Sequence, residues 1–183
     1  MKLSHSLSAL ALGVAALAAI ALPGIDRATA AEVTAPRPAP TLEGGTQWLN
    51  GPPLTAADLK GKVVLVDFWT YDCINCLNHL PAVRSWYDKY KDQGLVVVGV
   101  HTPEFAFERS TKNVQDAIAR LQVKHPVVQD NQFAIWKAFN NRYWPAIYLI
   151  DAQGRIVYQH FGEGAYTQTE SKIRDLLAQR SGG

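Results

Sequence analysis

Val63-Val64-Leu65-Val66-Asp67-Phe68-Trp69-Thr70-Tyr71-Asp72-Cys73-Ile74-Asn75-Cys76-Leu77-Asn78-His79-Leu80 is the stretch whose reading decides the fold. Its first half is a continuous apolar run, which reads as a strand buried on both faces. From Cys73 onward the pattern reads as a helix to about Lys91, with Leu77, Leu80, Val83, Trp86, Tyr87 and Tyr90 on its buried side. Pro81 lies inside that helix and is expected to kink it. The only two cysteines of the 183 residues stand at the strand-to-helix junction, as a CxxC. This spacing puts the first thiol at a helix N-terminus, where unpaired backbone N–H groups and the helix dipole stabilise a thiolate. A stabilised thiolate is the physical requirement for a redox dithiol.

Composition narrows the alternatives. With 48% apolar and 19% charged residues the chain can bury a core, and its length suits one domain with extensions. The formal charge is +2 and the basic residues are scattered, so no nucleic-acid partner is expected. Two cysteines are too few for a disulfide scaffold. Structural zinc needs four ligands, and no second CxxC or histidine pair at ligand spacing accompanies the first. Leu77, not a histidine, follows Cys76, which removes haem attachment. Neither a metal nor a cofactor is expected.

Residues 1–30 read as a secretory signal: Lys2, an apolar run from Leu7 to Leu22, a break at Pro23-Gly24, and the A-x-A site Ala28-Thr29-Ala30. Cleavage is expected near Ala30, which places the protein in the periplasm or another extracytoplasmic space where disulfides form. The alternative is an uncleaved N-terminal membrane anchor, although the run falls short of the ~20 residues of a span. Residues 31–45, rich in proline and alanine, read as an extended linker. Residues 46–183 read as one domain.

Within that domain, Thr46 to Asn50 suggests a short edge strand, and Leu54 to Leu59 a helical turn stopped by Gly61. Leu95 to Val100 is a second buried strand, followed by the loop His101-Thr102-Pro103-Glu104-Phe105. Ser110 or Thr111 to Leu121 is an amphipathic helix. Pro126 to Gln129 is a short strand, Asn131 to Asn140 a helix, and Trp144 to Ile150 a strand that begins at Pro145. Asp151-Ala152-Gln153-Gly154 turns into a strand over Arg155 to Phe161. Thr169 to Gln179 is the last helix. The order β-α-β-α-β-α-β-β-α describes an α/β protein with a parallel core sheet and an antiparallel hairpin at its end.

Val66-Asp67-Phe68-Trp69, Cys73-x-x-Cys76, Pro81 and the strand-initial Pro145 together resemble the thioredoxin superfamily. Asp58-Leu59-Lys60-Gly61-Lys62-Val63-Val64-Leu65-Val66-Asp67-Phe68-Trp69 is similar to its exported TlpA-like and redoxin branch. The strings WTYDCINC, GVHTPEFAFE, YWPAIYLID and HFGEG resemble the thioredoxin-like domain of DipZ-type cytochrome-biogenesis proteins. The similarity spans about Trp48 to Leu177. It implies a thioredoxin fold, a central mixed sheet flanked by helices, with an N-terminal extension and an inserted helix. It also implies a thiol–disulfide oxidoreductase acting on protein disulfides, monomeric, and supplied by a membrane electron donor of the CcdA/DipZ type. Pro145 resembles that family's active-site cis-proline.

The site residues follow from chemistry and resemblance together. Cys73 is the expected nucleophile and Cys76 the resolving thiol. Asp67, at the end of a buried strand beneath Cys76, is expected to carry that thiol's proton, with its own pKa raised by burial. Asp72 opposes the Cys73 thiolate by charge repulsion, and Ile74-Asn75 adds no cation, which points to a reducing pair. Trp69 and Trp144 are expected as the apolar wall of the thiol pocket, with Pro145 beside Cys73 to align a substrate strand. Glu104 lies on a loop at the C-terminal edge of the sheet, where α/β sites form. His79, one helical turn after Cys76, either tunes the site or is an exposed helix histidine. Two other functions share these features. Thr70-x-x-Cys73 matches the T-x-x-C core of peroxiredoxin-like thiol peroxidases, and a thioredoxin-like module could bind partners without exchange chemistry.

Overall fold

The computed structural model describes residues 31–181; the segment read as a signal, 1–30, lies outside them. In chain order the elements are β1 (Ala31–Pro38), β2 (Gln47–Leu49), α1 (Ala56–Leu59), β3 (Val63–Trp69), α2 (Ile74–Tyr90), β4 (Leu95–His101), α3 (Thr111–Arg120), β5 (Val127–Gln129), α4 (Ala134–Ala138), β6 (Ala146–Ile150), β7 (Arg155–Phe161) and α5 (Tyr166–Ser181). The strands form one mixed sheet in the order β1-β7-β6-β3-β4-β5-β2. β3, β4 and β5 run parallel. β6 lies antiparallel to β3 and pairs antiparallel with β7, so the hairpin completes the sheet on the other side of β3.

β3 is the central strand, and all seven of its residues are buried. Its alternation divides the core. Val64, Val66 and Phe68 face Ile135 and Phe139 around α4, with Tyr148 beside them. Val63 and Leu65 face Val83 and Trp86 of α2 and Ile173, Leu176 and Leu177 of α5. By the same period of two, Asp67 and Trp69 point toward the α2 side. Trp69 packs there with Cys76 and Leu80 and with Val114 and Ile118 of α3. Gly99 of β4 makes room for it: a Cβ at Gly99 would stand 2.9 Å from Trp69 Nε1.

Several boundaries differ from the sequence reading. The proline-rich stretch is extended, as its composition requires, but Ala31–Pro38 is also paired, antiparallel to β7. Pairing is a tertiary event that local composition does not report. β4 continues through His101, which pairs with Trp69 and Gln129. α4 is shorter than expected because Phe133 takes a left-handed φ of 57°. The Asp130 carboxylate then accepts hydrogen bonds from the Ile135 and Trp136 N–H groups at 3.2 and 2.8 Å. α5 begins three residues earlier than expected, at Tyr166. α2 passes through Pro81 as one helix. Pro81 lacks an N–H to give the preceding turn, but it is exposed on the helix surface.

Candidate active site

β3 ends at Trp69, and the chain turns through Thr70-Tyr71-Asp72 before α2 begins. Cys73 is the N-cap of α2, with extended backbone (φ −85°, ψ 115°), and its Sγ accepts a hydrogen bond from the Cys76 N–H at 3.3 Å. An N-cap position normally goes to an oxygen acceptor, so a sulfur there receives the N–H groups as an anion would. Cys73 is partly exposed and Cys76 is 3% exposed, and both are free thiols. The hydrogen bonds from Cys76 lower the Cys73 pKa to about 7, against burial and the Glu104 carboxylate, which oppose ionisation. Burial and the neighbouring Cys73 hold the Cys76 thiol well above its ordinary range. One thiol is therefore poised to ionise and the other is held protonated.

Asp67 is 1% exposed, and its Oδ1 has no hydrogen-bond partner. Burial, and secondly the Cys73 charge, raise its pKa to about 7. Asp67 also acts electrostatically on Cys76. A buried carboxyl with a free oxygen and a pKa near neutrality can take up or release a proton where water is excluded.

The Trp144–Pro145 peptide bond is cis. Pro145 precedes β6, whose Ala146 pairs with Phe68, so the Trp144–Pro145 segment lies at the same end of the sheet as the thiols. Trp144 is half-buried; its Nε1–H donates to the Thr102 carbonyl at 3.0 Å, and its ring packs on Trp136 with centroids 4.1 Å apart. Glu104 is exposed and close enough to Cys73 to influence it. Asp72 is exposed beside the thiol.

Two expected site residues sit differently. Trp69 is 2% exposed and packs under the thiols with Cys76 and Leu80, so it is a floor beneath the pocket and no part of its accessible wall. Strand alternation turns it inward. His79 is 1% exposed rather than a surface histidine. It packs on Trp86 and Tyr166, and burial, then His160, lowers its pKa to about 4.

A buried polar cluster behind the site was not anticipated. Glu108 is fully buried. One of its carboxylate oxygens accepts from the Thr70 hydroxyl; the other accepts from the Glu104 and Phe105 N–H groups at 2.6 and 2.8 Å. Thr70 Oγ1 also lies 3.3 Å from His101 Nε2. The His101 ring is stacked by Tyr71 at 5.5 Å and met edge-on by Trp69. The available signal is an acid directly after Phe105-Ala106-Phe107, between the His101–Phe105 loop and the next helix.

With this geometry the chain compares closely with known proteins. The Redoxin family model matches residues 34–177. Over 142 residues the chain is 52% identical to protein DipZ of Mycobacterium tuberculosis, an alignment covering 76% of this chain and 20% of that protein. The chain therefore spans about a fifth of the length of the DipZ proteins it matches. It is 33% identical over 144 residues to the thiol-disulfide oxidoreductase YkuV of Bacillus subtilis, covering 78% of this chain and 96% of YkuV. The solution structure of a thioredoxin-like protein in the oxidized form superposes with a TM-score of 0.71 at 32% identity, over 79% of this chain and 97% of that one.

Proposed function

Since the chain belongs to the Redoxin family, among thioredoxin-fold thiol–disulfide oxidoreductases, we propose that it is an exported reductase of protein disulfides. The observation that carries this reading is the asymmetry of the thiol pair. Cys73 is accessible and inclined to ionise, whereas Cys76 is buried and held protonated. The Cys73 thiolate attacks one sulfur of a substrate disulfide; that S–S bond breaks, and the leaving thiolate takes a proton. Cys76 then gives its proton to Asp67 and attacks Cys73 Sγ, releasing the second substrate thiol. Two electrons pass to the substrate, and the protein is left with a Cys73–Cys76 disulfide. A pKa of about 7 for Cys73 suits this direction, because the reduced form is not strongly stabilised and exchange is fastest when the attacking pKa is near ambient pH.

Asp67 is the proton carrier in this scheme, the carboxylate that opposes ionisation of Cys73 is Glu104 rather than the expected Asp72, and Trp144 with Pro145 borders the place where the substrate chain lies. The turn to reduction also needs a source of electrons, here a membrane protein of the DipZ type that reduces the Cys73–Cys76 disulfide. Export rests on the leader-like sequence of residues 1–30. No helix among the described residues is long and apolar enough to cross a membrane.

The peroxidase reading loses support at Thr70. Its hydroxyl is fully buried and engaged by Glu108 and His101, so it is not presented to a peroxide at Cys73. The test is Cys76→Ser expressed in the native cell. Cys73 should accumulate stable mixed disulfides with exported proteins, and the wild-type protein should release thiols from a protein disulfide in the presence of a dithiol. Hydroperoxide consumption by Cys76→Ser at the wild-type rate, with no mixed disulfide formed, would overturn the proposal.

A further inference from the structure

The segment between β4 and α3 places a short aromatic wall next to the nucleophile. Phe105 and Phe107 are 49% and 52% exposed, although their rings stack on each other at 5.6 Å and 3°. Phe107 continues onto Tyr71, whose hydroxyl donates to the Phe107 carbonyl at 3.2 Å. Ile74, inside the CxxC, is 67% exposed. Exposed apolar side chains are ordinary singly, but a contiguous group beside a reactive thiol marks a contact surface. Its border is acidic. Asp72 and Glu104 flank Cys73, and Glu163 is held to α2 by the Asn78 side chain at 3.1 Å. The single cation of residues 102–110, Arg109, is turned away to the Asn131 carbonyl at 2.6 Å and lies over the Phe133 ring.

The wall does not hold itself in place. Glu108 brackets it: one oxygen bonds the Thr70 hydroxyl, three residues before Cys73, and the other bonds the N–H groups of Glu104 and Phe105. A fully buried carboxylate with its acceptor sites filled by two separate segments ties those segments together. We propose that Glu108 is a positioning residue that fixes the Phe105–Phe107 wall and the Glu104 carboxylate beside Cys73, and that this wall selects polypeptide disulfides flanked by an apolar and a basic side chain. The inference rests on the reductase reading. The reaction is the exchange already written; the wall adds only recognition of the substrate chain. An apolar side chain of the substrate lies against Phe105 and Phe107, and a lysine or arginine lies toward Glu104 and Asp72.

The experiment uses two synthetic peptide disulfides, one with Phe and Lys beside the cystine and one with Ser and Glu, together with hydroxyethyl disulfide, which is too small to reach the wall. The wild-type protein should show a KM about tenfold lower for the Phe/Lys peptide. The surface variant Phe105→Ser/Phe107→Ser should lose most of that preference, with kcat and the rate on hydroxyethyl disulfide unchanged. Glu104→Gln should weaken binding of the Lys-bearing peptide about threefold. Glu108→Ala should abolish the preference between the two peptides, raising the KM for the Phe/Lys peptide more than it changes the rate on the small disulfide, and the isosteric Glu108→Gln should restore part of it. Should Glu108→Ala fail to fold, the double phenylalanine variant still decides. The inference alone is overturned if the wild type reduces both peptides with equal KM, if the double variant leaves the preference intact, or if Glu108→Ala slows all three substrates equally. If the wild type reduces neither peptide, the reductase reading falls, and this inference falls with it.

Discussion

Asp67 sets function against stability, and replacing it with asparagine measures the conflict. Its carboxyl is 1% exposed, and its pKa is raised from 3.8 to about 7, chiefly by burial. The unfolded chain therefore gives up this proton some three units before the folded protein does. For an acid whose folded pKa is raised, the folded state is penalised as pH rises above the unfolded value, and the penalty levels off above the folded one. At about 1.4 kcal/mol per unit, the full penalty is on the order of 4 kcal/mol. Between about pH 5 and about pH 8 the two titration curves separate by a further two units, so the penalty grows by about 2–3 kcal/mol over that interval. Asparagine has no charge to bury. Urea unfolding of the reduced proteins should therefore show Asp67→Asn gaining about 2–3 kcal/mol on the wild type from the lower to the higher pH, because titrations common to both cancel in the difference. The same substitution removes the proposed proton acceptor for Cys76 and should slow resolution of a mixed disulfide by about 100-fold, near the lower bound for general base catalysis. A stability difference that does not change with pH would refute the buried, near-neutral carboxyl, whatever happened to the rate.

Two further outcomes follow from the same site. Thiolate absorbance of Cys73 should titrate with a midpoint near 7, and Cys76→Ala, which leaves no side-chain donor at that position, should move it upward because the Cys76 thiol is the first of the groups that lower it; a midpoint near that of an ordinary cysteine in the wild type would remove the basis for a poised nucleophile. His79, buried with a pKa lowered from 6.5 to about 4, contributes stability that is complete above 6.5 and is lost as pH falls toward 4. His79→Phe should flatten that acid limb by roughly 3 kcal/mol, read by denaturant unfolding across the range, and a limb as steep as the wild type's would place the acid sensitivity elsewhere.

Much of the site was legible along the chain because its parts are local. The strand at Val63–Trp69, the CxxC at the start of a helix and the strand after Pro145 each carry a short-range pattern, and each formed within a residue or two of its expected bounds. Asp67 was expected beneath Cys76 from its place at the end of the buried strand. The less legible parts depend on segments far apart in sequence. Trp69 and Trp144 look alike as aromatic residues near the site, yet Trp69 is buried in the cluster that holds Cys76 and Trp144 packs against that cluster only half-buried. His79 reads as a polar helix position until Tyr166 and Trp86 close over it. Glu108 belongs to no short-range pattern, and its partner Thr70 lies thirty-eight residues earlier.

The sequence by itself determined the chemistry: one pair of thiols at a helix start, after a strand apolar enough to be central, with an acid at the only polar position of that strand. Those features are set by residue type and spacing within about a dozen residues, and periodicity and helix-end electrostatics act over that range. Tertiary structure alone decided what surrounds the pair. It made Ala31–Pro38 a paired edge strand, turned Trp69 into a floor, buried His79, and set Glu108 behind a wall of exposed phenylalanines. Each of these is a matter of burial or hydrogen bonding between distant segments, and burial is a property of the packed chain rather than of any residue within it.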